Sequence, residues 1–243
     1  MFRKSMMMAL VLGVAFGFAG ASRADDTAAV KGKVIFKGDP AKFKRDQIDT
    51  TKDANCKTNA PKGIGTEEVI IDKENTPPTL RNVIVTIKEG LGDRKFEPKK
   101  DAVVIDQVGC QYKPHVVVLQ KGQKLQVRNG DDTNHNIHFQ PKVNQELNFS
   151  QPKKDPDGRA VDLVTEAPFR VKCDVHPWMG AWVAVYDHPF FSVTGKEGTF
   201  EIKNLPPGKY VIEAWHEKLL TQTATVEVKS GETKEQDFTF EPK

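Results

Sequence analysis

The sequence predicts an all-β protein made of two interleaved sandwiches. Three observations carry this reading. Short runs of alternating apolar and polar residues recur along the chain, separated by Gly, Pro, Asn and Asp. No long segment shows helical periodicity. The runs at the two ends of the chain are each too few to close a two-sheet core alone, so they must share one.

The elements follow in order. Arg3 and Lys4 precede an apolar stretch over residues 6–19, which is short for a bilayer span. Ser22, Arg23 and Ala24 then place small residues where a signal peptidase reads. The pattern predicts a leader over residues 1–24, cleavage after Ala24, and a periplasmic or otherwise exported protein. Strands are expected at 30–36, 83–87, 103–108, 115–119 and 125–127, and then at 169–173, 182–185, 199–202, 210–215, 224–228 and 238–240. Residues 37–80 and 140–160 are polar and turn-rich, and are expected as long loops. Loops of that length are functional or are ordered by something else. Residues 25–98 and 188–243 are expected to form one discontinuous sandwich, with 99–187 inserted as a second.

Charge excludes some partners. The chain has 36 Lys+Arg and 33 Asp+Glu. Loss of Arg3, Lys4 and Arg23, and of no acid, leaves 33 of each in the mature chain. A balanced chain gives no electrostatic reason to expect nucleic acid or an anionic membrane. No run after the leader is apolar enough for a membrane helix.

The chemistry concentrates in one stretch: Cys173, Asp174, Val175, His176, Pro177, Trp178, Met179. It places a thiol, an imidazole and a thioether within seven residues. His135 and His138 lie upstream and can add a second imidazole. Two imidazoles, a thiolate and a weak thioether are the donors of a mononuclear electron-transfer copper site. Phe169, Val171 and Cys173 share one strand face, with Arg170 and Lys172 on the other, so Cys173 should point inward. Alternatives stay open at each position. Cys173 can instead be a buried thiol or a disulfide partner, and Met179 a core residue. His135 and His138, three apart, face opposite sides of a strand, so one of them is a surface residue. His115, His188 and His216 have no ligand spacing. Trp178, Trp182 and Trp215 are simplest as core or interface aromatics. There are three cysteines. If Cys173 binds metal, Cys56 and Cys110 remain as a pair, and an oxidising compartment would let them bond.

Residues 100–187 resemble the cupredoxins, the type 1 blue copper proteins of the amicyanin and plastocyanin kind. The likeness rests on Asn134 to Phe139, on the short Cys-x-x-His-x-x-Met loop, and on Lys121 to Asn129 as the strand before the first ligand. It implies a Greek-key sandwich with one copper ion. His135, Cys173 and His176 would be its trigonal ligands, with Met179 axial, and Asn136 would bridge the ligand loops. Pro177 would stiffen the loop. Pro177 and Trp178 would form an apolar docking patch, with electrons passing through the His176 edge to an unknown redox partner. The outer segments, through Thr194 to Tyr210, resemble a carboxypeptidase regulatory-like, prealbumin-type sandwich. The whole is similar to exported bacterial proteins often labelled methylamine utilization or cupredoxin-like.

An enzyme is not expected. Multicopper oxidases and copper nitrite reductases flank the loop Cys with His, whereas Lys172 and Asp174 flank Cys173. A dinuclear copper site would need a second loop Cys. Six His are too scattered for a trinuclear centre. Beside single-electron transfer, two other functions fit the sequence. One is copper storage or delivery without redox traffic. The other is an interaction module with a vestigial copper site.

Overall fold

The computed structural model describes residues 27–51 and 53–242. The leader expected over residues 1–24 lies outside them. The described residues are nearly all β, with a short α-helix and one 3-10 turn over Pro40–Lys42. The first segment contains β1 (Ala28–Phe36), β2 (Gln47–Ile48), α1 (Ala54–Asn59), β3 (Ile64–Gly65), β4 (Ile71–Asp72), β5 (Thr79–Leu80) and β6 (Ile84–Glu89). The middle holds β7 (Val103–Gln107), β8 (Tyr112–Lys113), β9 (Val116–Gln120), β10 (Lys124–Asn129), β11 (His135–Gln140), β12 (Asn148–Gln151), β13 (Asp155–Asp162), β14 (Glu166–Lys172) and β15 (Gly180–Tyr186). The last segment holds β16 (Phe191–Val193), β17 (Thr199–Leu205), β18 (Gly208–His216), β19 (Leu220–Val228), β20 (Thr233–Glu235) and β21 (Phe238–Phe240).

The two ends of the chain build their sheets together. β1 pairs with β17, β20, β21 and β5, and β6 lies between β16 and β18. The middle builds two sheets of its own, β13-β10-β7-β8 and β12-β11-β14-β15-β9. Among the described residues, no strand pairing joins the two sets. Each pair of sheets encloses its own apolar core. Strand alternation fills these cores: in β18, Tyr210, Ile212 and Ala214 point inward between polar or half-buried neighbours. In β14, Phe169 and Val171 point into the middle core, and Cys173 follows them into it.

The sandwiches meet along one seam. Ile84 of β6 packs with Val116 of β9 and Ala184 of β15. The Trp182 and Trp215 rings meet edge to face at 5.1 Å. Trp182 Nε1 donates to Glu217 at 2.9 Å, and the other oxygen of Glu217 bonds His115 Nε2. Trp182 and Trp215 are therefore interface aromatics.

Two expected loops contain more structure than their polarity suggested. Residues 140–160 contribute β12 and the start of β13, which pair with β11 and β10 at the sheet edges. β13 exposes most of its side chains. An edge strand needs backbone partners on one side only, so apolar alternation is not required of it. Within residues 37–80, the stretch from β2 to β3 folds onto the middle sandwich. Cys56 and Ile64 belong to its core, with Ile48 and Ala60 packed against it. Cys56 and Cys110 are joined by a disulfide across 54 positions, which ties this stretch down. Cys173 is free and buried.

Candidate metal centre

Two chain segments converge at one end of the middle sandwich. His135 opens β11 and pairs in register with Gln151 of β12. Cys173 follows the last residue of β14 and begins a tight loop. Cys173 N–H donates to the Met179 carbonyl at 3.1 Å, and Met179 N–H to the His176 carbonyl at 2.9 Å. Those bonds turn His176 back over the strand end, and its own N–H donates to Cys173 Sγ at 3.4 Å.

The potential ligand atoms of His135, Cys173 and His176 all lie within 4.8 Å of one another. The three residues are 0%, 2% and 2% exposed. His135 Nδ1 and His176 Nδ1 are 3.0 Å apart, and Cys173 Sγ is 3.9 Å from His176 Nδ1. Met179 is buried in the same core cluster as Cys173.

The far side of each imidazole rests on a carboxylate. His135 Nε2 is 3.0 Å from Asp131 Oδ2, and His176 Nε2 is 3.0 Å from Asp53 Oδ2. A carboxylate only accepts, so each Nε2 carries the proton and donates it. Each Nδ1 then presents a lone pair to the other. Two buried lone pairs at 3.0 Å repel unless a shared proton or a cation lies between them. With the adjacent thiol, these groups could hold a metal ion, and a mix of imidazole and thiolate donors is one that copper accepts. The neighbouring sulfurs of Cys56 and Cys110 also approach a His176 nitrogen, but their disulfide leaves them no thiolate to offer.

The surroundings favour the thiolate at Cys173 but, in the metal-free site, added protonation at His135. Burial pushes the Cys173 thiol up, but His135 and the N–H groups of Asn136, His176 and Val175 outweigh it, lowering the thiol to about 7. Burial lowers His135, while Asp131 and Cys173 raise it further, for a net rise. Asp131 is raised by burial but held below its ordinary range by His135 and by the N–H groups of Cys110 and Gly109. Asp53 is lowered chiefly by His176, then by Cys56 N–H.

Asn136 connects the two segments. Its Oδ1 accepts from Cys173 Sγ at 3.2 Å, Asp174 N–H at 2.7 Å and Val175 N–H at 3.3 Å. Its Nδ2 donates to Asn148 and Asp174. His138 turns the other way, between Asp174 and Glu146. His115 pairs with Glu217, His188 bonds the Ile87 carbonyl, and His216 Nδ1 accepts the N–H groups of Lys218 and Leu219.

The His176 edge, expected as the electron route, is covered: His176 is 2% exposed, with Asp53 on its Nε2. Only part of the expected patch is open: Pro177 is exposed, as is Val175 beside it at 45%. Trp178 is half-buried, stacks obliquely on His176 at 5.0 Å, and donates its indole N–H to the Cys110 carbonyl. Neither carboxylate stands out in the sequence. Asp131 lies four residues before His135, where a loop side chain can reach back to the ring. Asp53 lies three before Cys56 in an N-cap pattern, but nothing local links it to His176, 123 positions away.

The family model for the carboxypeptidase regulatory-like domain matches residues 175–241. Among solved structures, amicyanin from Paracoccus versutus is similar at 22% identity, over 42% of this chain and 96% of that one, with a TM-score of 0.31. A methionine-to-alanine variant of amicyanin in its Cu(I) state is 21% identical over 42% of this chain and 97% of that one, with a TM-score of 0.31. A copper-containing nitrite reductase from Thermus scotoductus SA-01 is 20% identical over 40% of this chain and 24% of that one, again with a TM-score of 0.31. No curated protein matches the chain by sequence. Among the described residues, no helix is long and apolar enough to cross a membrane.

Proposed function

We propose that this protein is an exported mononuclear type 1 copper protein that carries single electrons between redox partners, without catalysis of its own. The observation that carries the reading is the convergence of His135, Cys173 and His176 in a buried cluster, with both Nδ1 atoms turned inward. Met179 is assigned as the weak axial donor, and Asn136 as the bridge that holds the two ligand segments in register. Pro177 restrains the loop between His176 and Met179. The division into 25–98 plus 188–243 and 99–187 is part of the same reading, with the stretch from β2 to β3 lent by the first unit to the core of the second, as is cleavage after Ala24. The buried Cys56–Cys110 bond supports an oxidising compartment such as the periplasm.

A copper ion bound here would supply a one-electron couple. The residues supply the rest: a thiol already poised near neutral pH, imidazoles held in one tautomer, and exclusion of water. Two packed sheets keep these groups in place, so a change of charge at the centre demands little rearrangement.

One observation favours a second reading, in which copper is stored or delivered. The His176 edge, the expected exit for an electron, is 2% exposed. Electron self-exchange separates the two. In mixtures of the Cu(I) and Cu(II) proteins, concentration-dependent NMR line broadening supports a carrier. Its absence, with tight copper retention, supports storage.

A further inference from the structure

Most of the metal centre is built by the middle of the chain, yet one of its contacts comes from elsewhere. Asp53 belongs to the stretch between β2 and β3, in the first segment of the chain. Its side chain serves two groups at once. One oxygen accepts Cys56 N–H at 2.9 Å, capping α1. The other sits 3.0 Å from His176 Nε2.

We propose that Asp53 is a positioning residue of the metal centre. Carried on a disulfide-strapped lid, it fixes the tautomer and orientation of His176. The site is thereby a joint product of the N-terminal segment and the 173–179 loop. The proposal rests on the reading that His176 is a metal ligand.

The lid is anchored on several sides. The disulfide joins α1 to Cys110. Cys110 N–H and Gly109 N–H both donate to Asp131 at 2.8 Å, the carboxylate behind His135. Asn55 Nδ2 donates to Thr133 Oγ1 at 3.2 Å, tying α1 to the loop before β11. Trp178 holds the Cys110 carbonyl from the other side at 3.1 Å. The disulfide sulfurs also lie within 4.8 Å of a His176 nitrogen, so the ring is walled in.

Physical consequences follow for the ligand. The neutral imidazole has two tautomers, and only the one protonated at Nε2 offers Nδ1 to a metal. A carboxylate on Nε2 selects that form and makes Nδ1 more basic, so it favours the more highly charged state of a bound metal. Asp53 is 25% exposed and His176 2%, so the pair is partly shielded from solvent and weakly screened. In the N-cap role alone, Asp53 would owe nothing to His176, and Ser or Asn would replace it at little cost.

Those two substitutions provide the test. Asp53→Ser keeps a capping oxygen but is too short to reach the ring, while Asp53→Asn keeps the shape and loses the charge. In the metal-free full-length protein with 15N-labelled histidine, His176 should show a slowly exchanging proton on Nε2 and a bare Nδ1. Asp53→Ser should abolish the slow exchange and admit the second tautomer. Its Cu(II) affinity should fall about tenfold or more, as for other partners of metal-bound histidines. If Asp53→Ser fails to fold, Asp53→Asn decides: the proposal expects a higher reduction potential, and an unchanged potential together with the wild-type Nε2 signal overturns it. A tautomer and affinity unchanged in a folded Asp53→Ser also overturn it. A wild-type protein that binds no Cu(II) would remove the copper reading instead, and the histidine spectra would still decide the role of Asp53.

Discussion

Asn136 Oδ1 lies 3.2 Å from Cys173 Sγ and accepts from the backbone of the next two residues as well. One side chain at the start of β11 therefore sets the path of the chain as it leaves β14. The donors it satisfies would otherwise be stranded near a buried thiol, where an unmade hydrogen bond is expensive.

Asn136→Ala should therefore destabilise the metal-free protein by about 2 kcal/mol. Urea unfolding followed by tryptophan fluorescence measures this. The slope of the transition should stay unchanged while its midpoint falls. No change in midpoint would mean that the two segments hold their register without Asn136.

The Cys56–Cys110 bond closes a loop of 54 positions. Chain entropy assigns a loop of that size about 4 kcal/mol of stability. The double variant Cys56→Ala, Cys110→Ala should lose roughly 2–4 kcal/mol and should also free α1 from the His176 ring. Denaturant unfolding gives the first, and hydrogen exchange at residues 53–60 gives the second. Protection equal to wild type would show that packing alone seats the lid.

A pH effect is expected from the seam, away from the candidate metal centre. Burial lowers His216 from 6.5 to about 4, so it folds neutral and unfolds as a base of ordinary strength. The unfolded chain binds the extra proton between those values. The contribution is therefore complete above pH about 6.5 and lost as pH falls through about 4, with a size of ~3 kcal/mol. His216 Nδ1 accepts two N–H groups, and Asn can imitate that acceptor without titrating. The wild-type unfolding free energy should thus fall more steeply below pH 6.5 than that of His216→Asn. Parallel profiles for the two would contradict the assignment.

Met179 is 1% exposed, and Leu fills a similar volume at a cost below about 1.5 kcal/mol. If Met179 is the axial donor, Met179→Leu should keep the visible colour of the copper protein. It should also raise the reduction potential, because a sulfur donor that helps the oxidised state is gone. Voltammetry of the two proteins decides. An unchanged potential would return Met179 to the core.

Much of the fold could be read from the chain because strand alternation is a local signal. The buried face of β14 is visible in Phe169, Val171 and Cys173, and the loop to Met179 is visible in seven consecutive residues. Edge strands β12 and β13 were hidden, since pairing through the backbone leaves their side chains polar. The Asp53–His176 contact was hidden for another reason. It depends on where a disulfide places a short helix, and no periodicity encodes that. The His115–Glu217 contact across the seam is likewise a product of tertiary packing.

Cys173, His135 and His176 are proposed to hold one copper ion. Titration of the metal-free mature protein with Cu(II), followed by visible absorption, tests it most directly. Saturation is expected at one equivalent, with an intense thiolate-to-copper band that Cys173→Ser abolishes. A colourless wild-type protein, or the same band in Cys173→Ser, would contradict it.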